Sequence, residues 1–339
     1  MKDPFAPQDY KITVIGGGTG SFTILSALKD HTSQLAAIVN MVDDGGSTGV
    51  LRDEMGALPP GDVRQCLVAL SESSEIRKLF DYRFPDGTFA GHSFGNIFLS
   101  VLEKTTGNFA EAIEAASEIL RVNGVVIPAT FDDIRLKMSW PNGRLTLRGE
   151  RKIDEMYFKK DPRKAILTVE PNAKANPTAI AAIEQADMVV IAPGDLYTSL
   201  GPLLVIDGIG DALRRTDAKI IYVCNLVTKV GQTEEFSVAD HANEIERFGG
   251  GDFLDAVLYN SQKPSSRLLG LYKKEGGELV KERIKQLHRQ KYQAIGGNFL
   301  GNVAAYNPSS NVLPVKRSLI RHNSQYIALA LMDILEKDS

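Results

Sequence analysis

Three short stretches carry the residue types that handle phosphate. They are Gly16-Gly17-Gly18-Thr19-Gly20-Ser21, Asp43-Asp44-Gly45-Gly46-Ser47-Thr48-Gly49, and Pro193-Gly194-Asp195-Leu196-Tyr197-Thr198-Ser199-Leu200-Gly201-Pro202. Glycine lets the backbone approach an anion, a following helix offers free N–H groups, and hydroxyls add donors. In the first stretch Gly17, Gly18, Thr19, Gly20 and Ser21 are the candidate contacts. No Lys-Ser/Thr pair is present, which excludes an ATPase P-loop. The dinucleotide pattern is matched loosely, because Ser21 stands where the third glycine would be. In the second stretch Asp43, Asp44, Gly45, Gly46 and Ser47 admit two readings. Asp43, 23 residues after Gly20, suits the ribose-binding acid of a nicotinamide-binding fold. A doubled Asp before Gly-Gly-Ser-Thr-Gly also suits a magnesium or sugar-hydroxyl site beside a second phosphate loop. The plainer alternative is that either aspartate caps a turn. In the third stretch Gly194, Asp195, Tyr197, Thr198 and Ser199 are the candidates.

Smaller signals lie between these stretches. Arg64, next to the helix N-cap candidate Asp62, suits a phosphate or a surface ion pair. His92 and Asn96 are four residues apart and share a helix face, so His92 is either an acid–base group or a structural hydrogen-bonder. Asn225 follows an apolar run and either binds a ligand or ends the strand. Outside residues 43–49 and 91–96 the chain offers no GxSxG elbow, no HExxH and no Cys–His nucleophile pair.

These residues need a scaffold that brings loop tips together. Residues 11–15 (KITVI) form an apolar, β-branched run followed by glycines and a helix-period stretch at Phe22, Leu25 and Leu28. That order is strand, tight turn, helix. Residues 35–42 read as a second strand ending at Asp43. Helices are expected from Asp62 onward, at 94–104 and at 109–121. A β-hairpin with an Asn142-Gly143 turn is expected between 134–138 and 145–147, inside an antiparallel insertion at roughly 128–160. Strands at 166–169, 188–191, 219–223 and 254–259 then alternate with helices at 177–185, 203–214 and 238–248, and a last helix covers 323–336. Short, uniformly apolar strands alternating with helices predict an α/β fold. It is a doubly wound, mostly parallel Rossmann-like sheet with a small antiparallel hairpin insertion. One domain over residues 1–339 is expected. In such a sheet ligands collect at the carboxyl ends of the strands, where all three motifs fall.

Composition bounds the function. The chain has 339 residues, 43% hydrophobic and 24% charged, with net charge −3. That balance disfavours a general nucleic-acid or membrane-surface binder. The N-terminal MKDPFAPQDY lacks the apolar core of a signal peptide, and no apolar run reaches membrane-span length. A soluble, cytoplasmic protein, forming a homo-oligomer, is the expectation. Cys66 and Cys224 lie in apolar runs and read as buried thiols. A phosphorylated, nucleotide-like ligand is expected, with magnesium as a candidate cofactor and no covalent one.

The pairing of IGGGTGS with VDDGGSTGVLR, followed by PPGDVRQCLVAL, GHSFGN and APGDLYTSLGPLL, resembles the gluconeogenesis factor (YvcK-like) family of the CofD-like superfamily. The likeness continues through YNSQKPSSRLLGLYKKEG and LIRHNSQYIALAL. It implies a nucleotide-sugar-binding regulator of carbon metabolism and of cell shape and cell wall, with ligands of the UDP-N-acetylglucosamine type and with nicotinamide dinucleotides as occupants of the same crevice. It also implies that Tyr272 and Arg321 contact the sugar nucleotide. The related CofD enzymes transfer 2-phospho-L-lactate from a guanylylated donor to a deazaflavin and use magnesium at the aspartates matching Asp43 and Asp44. A magnesium-dependent transferase is therefore the alternative. The family commonly reads Arg-His-Asp where this chain has Arg321-His322-Asn323, which weakens a catalytic role for that end.

Overall fold

The computed structural model describes residues 9–141, 145–266, 269, 277–301 and 321–338. Strand β1 (Ile12–Gly16) is buried at all five residues, as an apolar run without alternation requires when both sheet faces are covered. It lies in the interior of a parallel sheet with β2 (Leu35–Val39), β3 (Val125–Pro128), β7 (Met188–Ile191), β8 (Lys219–Val223), β9 (Ala256–Asn260) and β10 (Gln293–Gly297). The order is β10-β9-β8-β7-β1-β2-β3. The chain leaves β1 towards β2 and β3, then returns on the other side of β1 at β7. The switch point therefore lies between β1 and β7, and the loops after these strands part there to open a crevice. Helix α1 (Gly18–Leu28) packs against α3 (Pro60–Leu70) and the C-terminal helix Ser324–Asp338. Helix α10 (Ile209–Arg215) packs against both α8 (Pro177–Glu184) and α9 (Gly201–Leu204).

The insertion is larger than the expected hairpin. Strands β4 (Arg135–Ser139) and β5 (Thr146–Arg148) pair antiparallel as expected, and the Asn142-Gly143 turn lies outside the described residues. Strand β6 (Ile166–Glu170), expected in the main sheet, instead pairs antiparallel with β4 and makes a three-stranded sheet. Its alternating burial marks a strand covered on one face. Between β5 and β6 sits a short helix, α7 (Glu150–Asp154).

Other boundaries also differ. β2 ends at Val39, and residues 40–45 run on without a strand partner. The helix expected at 203–214 is two pieces, α9 and α10, and a π turn at Leu196–Leu200 precedes them. Gly208, at φ +101°, breaks it in a conformation a side chain resists. Helices α2 (Gly46–Met55), α4 (Ser74–Asp81), α5 (Phe94–Thr106), α6 (Phe109–Leu120) and α11 (Val238–Phe248) complete the framework around the site. The first two have no counterpart in the sequence reading. α2 begins with GSTG, which looks like a loop, yet it ends in an orthodox left-handed cap at Gly56.

Candidate functional site

Helices α1 and α2 begin within the first two motifs, with Gly17 and Gly45 as their extended N-terminal caps and no acidic residue in either first turn. Their positive ends therefore point at the loop tips. Motif three closes the crevice, since the position of a Cβ on Gly17 lies 3.2 Å from Ser199 Cβ. Gly20 serves packing: its Cβ would lie 1.7 Å from the Pro193 carbonyl oxygen, so only glycine lets α1 start this close to β7's following turn. Ser21 is fully buried beneath the loop. Gly18 faces α3. Its N–H donates to Asp62, and its Cβ would meet Gln65 Nε2 at 2.2 Å. Thr19 Oγ1 donates to Gln65 Oε1 at 3.3 Å.

The doubled aspartates part company. Asp43 Oδ1 accepts from Gly45 N at 2.9 Å, an Asx turn, and its other side faces Thr48 and Gly61. Burial pushes its carboxyl up, against the pull of the Gly45 and Thr48 hydrogen bonds. Asp44 reaches into the insertion. It accepts from the N–H groups of Glu150 (3.1 Å) and Arg151 (2.7 Å), and Arg135 stands at 3.7 Å. It thus caps α7 from a distance in sequence.

Ser47, His92, Asn96 and Arg64 form one chain of contacts. Ser47 Oγ bonds His92 Nδ1 at 2.9 Å, Asn96 Nδ2 donates to Ser47 Oγ at 3.4 Å, and Arg64 Nε donates to Asn96 Oδ1 at 3.0 Å. Arg64 is buried and also pairs with Asp81, so it braces α3 against α4 and α5 and is not the surface ion pair of the alternative reading.

The third motif divides. Asp195 pairs with Lys229 Nζ at 2.7 Å, and Lys229 pairs with Asp154 of α7 as well. Thr198 Oγ1 donates to Asp154 at 3.3 Å. Asn225 and Gly194 exchange two hydrogen bonds, so Asn225 braces the turn. Tyr197 corrects the sequence reading: it is fully buried between Phe158 and Phe248, and its hydroxyl donates to Glu244 at 2.9 Å. Apolar neighbours of the hydroxyl-rich turn claim it for the core. Arg321 comes to the carboxyl end of β8 through its neighbour, since His322 Nε2 donates to the Cys224 carbonyl at 3.1 Å. Asn323 accepts from Tyr326 N and caps the last helix, a task that Asn and Asp share. Tyr272 lies outside the described residues. Both cysteines are buried thiols.

Asp62, Gln65, Glu150, Asp154 and Lys229 are site residues the sequence reading missed. Asp62 is inside α3 and not its cap, because the helix starts at Pro60. Burial, then the Asp43 charge, pushes its carboxyl up to about 7. Burial, then Asp43 and Asp154, pushes Glu150 up to about 9. Asp62 and Gln65 stand three apart on the less buried side of α3, a spacing that marks a shared face.

With this geometry established, relatives can be compared. The model of the family "2-phospho-L-lactate transferase CofD" matches residues 12–300. A Bacillus subtilis protein named gluconeogenesis factor is 33% identical over 332 residues, spanning 97% of this chain and 99% of that one. A Clostridium acetobutylicum relative is 38% identical over 96% of this chain and 69% of its own length. A solved Bacillus halodurans structure, described as a member of the UPF0052 family, superposes with TM-score 0.84 at 33% identity, covering 95% of this chain and 99% of that chain. The chain belongs to the CofD family, in its gluconeogenesis factor branch. Members of this branch match it almost end to end, as the motif order implied. No helix among the described residues is long and apolar enough to cross a membrane.

Proposed function

We propose that the chain is a metabolite-binding regulator that holds a nucleotide sugar or dinucleotide in the crevice without turning it over, in the control of carbon metabolism and cell shape. One observation carries this reading: the motif loops after β1, β2 and β7 meet at the switch point of the sheet, with two helix N-termini aimed between them. The polar groups at this site are spent on bracing. Asn225 holds Gly194, Asp44 holds α7, Arg64 holds Asn96, and Lys229 lies between two carboxylates. That is the arrangement of a fixed receptor, and even the hydroxyl–imidazole pair at the site, Ser47 with His92 at 2.9 Å, is tied through Asn96 to Arg64.

The transferase reading rests on the matched family model and on the carboxylates. Burial raises the pKa of Asp43, Asp62 and Glu150, and the Asp43 charge adds to the rise of the other two, so negative charge is crowded in the crevice. Among the described residues no group of three metal-ligating side chains converges on one point, and both Asp44 oxygens are already engaged by backbone. Asp43 is the residue that fits magnesium, as one protein carboxylate beside ligand phosphates, which is how magnesium usually binds. The ion would neutralise phosphate charge there, while the helix ends orient the phosphates.

Calorimetric titration with UDP-N-acetylglucosamine and NAD, with and without magnesium, tests both readings when the mixtures are also assayed for products. Product-free binding of the UDP-sugar is the expected result. Magnesium-dependent consumption of a nucleotide-activated donor would replace the regulator with the transferase.

A further inference from the structure

On the far side of Asp44 from the glycine loops lies an open groove of about 530 Å³, between α2, β4, β5 and α7. Four cationic side chains from three elements wall it: Arg135 of β4, Arg148 of β5, and Arg151 and Lys152 of α7. We propose that this groove is a second binding site, separate from the crevice, for a small metabolite bearing a pyrophosphate-type group.

The guanidinium groups are held but not consumed. Arg148 meets Glu170 at 3.0 Å, Arg151 meets Glu155 at 3.1 Å, and Arg135 meets Asp53 at 3.0 Å. Each of these contacts uses one edge of a planar group with five donors, so the other donors stay available for a bidentate oxyanion. Arg148 and Arg151 have side chains 64% and 66% exposed. Ion pairs that exposed contribute only about 0–1 kcal/mol, so an anion carrying several charges can exchange for them. Among the described residues Lys152 has no carboxylate in ion-pair range. The amides at the start of α7 play no part, because Asp44 already accepts from Glu150 and Arg151. The groove's volume lies within the range of small-molecule sites. Its position matters too: Asp44 forms the wall between groove and crevice, with Arg135 at 3.7 Å on the groove side. An occupant that draws Arg135 is therefore one carboxylate away from the second glycine motif.

The test is hydrogen exchange on the full chain titrated with inorganic pyrophosphate, beside the double variant R148E/R151E. Saturable protection of amides across 146–156 is expected, with an apparent Kd raised by at least ~10-fold in the variant and an unchanged unfolding midpoint. If the double charge reversal fails to fold, R148Q/R151Q replaces it. Protection confined to 16–21, 43–49 and 193–201 would place the anion in the crevice and overturn the proposal. So would no protection at all, or protection that survives unchanged in the folded variant.

Discussion

Asn225 and Gly194 exchange hydrogen bonds in both directions: the Gly194 N–H donates to Asn225 Oδ1 at 3.0 Å, and Asn225 Nδ2 donates to the Gly194 carbonyl at 2.7 Å. This clasp joins the end of β8 to the turn after β7 and holds Ser199 against Gly17. N225A removes both bonds and leaves a part-buried N–H and C=O without partners, a loss of about 1–3 kcal/mol. The unfolding midpoint should fall, and calorimetry should show UDP-N-acetylglucosamine affinity reduced by roughly 10-fold if turn geometry contributes ~1.4 kcal/mol. Unchanged affinity in N225A would mean that this turn is not a wall of the site.

Tyr197 supplies the contrast. It sits in the same motif, but its hydroxyl donates to buried Glu244, which Arg247 also engages. Burial drives the phenol's pKa well upward, so it remains a neutral donor. Tyr197→Phe removes one hydrogen bond to a charged group, a loss of about 1.5–3 kcal/mol. Chemical denaturation should register that loss, whereas calorimetry should find ligand affinity unaltered. A large affinity change with normal stability would return Tyr197 to the crevice.

The sequence was readable where local rules decide. The β1 run and the glycines after it, the Ser237 capping box of α11 and the Val-rich β7 all follow from propensity and period. The glycine-rich turns after the strands were readable for the same reason, since glycine clusters between a strand and a helix mark tight turns. What the sequence hid depends on contacts far along the chain. Asp44 caps a helix more than a hundred residues away, and nothing near it announces this. Lys229 meets Asp154 and Asp195 only after the insertion folds back. β6 looked like another buried strand because ILTV is apolar, and only pairing with β4 shows which sheet claims it. The structure also presents Tyr82, Phe84 and Phe89 as neighbouring rings beside His92, a cluster not apparent as a patch in the sequence.

The raised carboxyls give a pH dependence with a definite sign. Asp62 stands at about 7 and Glu150 at about 9 in the fold, against about 3.9 and 4.3 for unfolded chains. The folded protein therefore binds more protons than the unfolded one between these limits, and stability falls as pH rises. The Asp62 contribution is full below about pH 4 and is lost by about pH 7; that of Glu150 is lost only near pH 9. Urea melts from pH 4 to 9 should show D62N flattening the lower part of the decline and E150Q the whole of it. Parallel curves for wild type and both variants would mean that these carboxylates ionise freely.

Gly18 and Gly20 separate binding from packing. A Cβ on Gly20 would press on backbone, the Pro193 carbonyl, at 1.7 Å. One on Gly18 would press on the Gln65 and Asp62 side chains, which can turn aside. Gly20→Ala should therefore destabilise by about 1–3 kcal/mol or more, as overpacking does. Gly18→Ala should cost less, and Gln65→Ala should relieve most of that cost in the double variant. The decisive measurement is a double-mutant cycle on unfolding free energy. Strict additivity of Gly18→Ala and Gln65→Ala would show that the loop and α3 do not press on each other at this point.

Lys229 is the cation that ties the insertion to the crevice turn. Burial alone would lower the pKa of its ammonium, but Asp195 and Asp154 outweigh that effect and raise it, so it stays charged. Gln232 supports the same junction by donating to the carbonyls of Ile153 and Asp154 at 2.9 and 3.1 Å. Lys229→Met keeps the apolar stem and leaves two carboxylates facing each other across the junction. Breaking a fully buried pair costs about 3–5 kcal/mol. Here the partners are about two-fifths exposed, so solvent screening reduces the expected loss to about 1–2 kcal/mol. The loss should be local. Hydrogen exchange should speed up in α7 and in residues 195–199 and leave β1 and β7 protected, because the parallel sheet does not depend on the junction. Lys229→Arg, which can span both carboxylates, should restore protection. Equal loosening across the whole sheet would show instead that the insertion and the sheet unfold as one unit, with Lys229 no more than another contact in it.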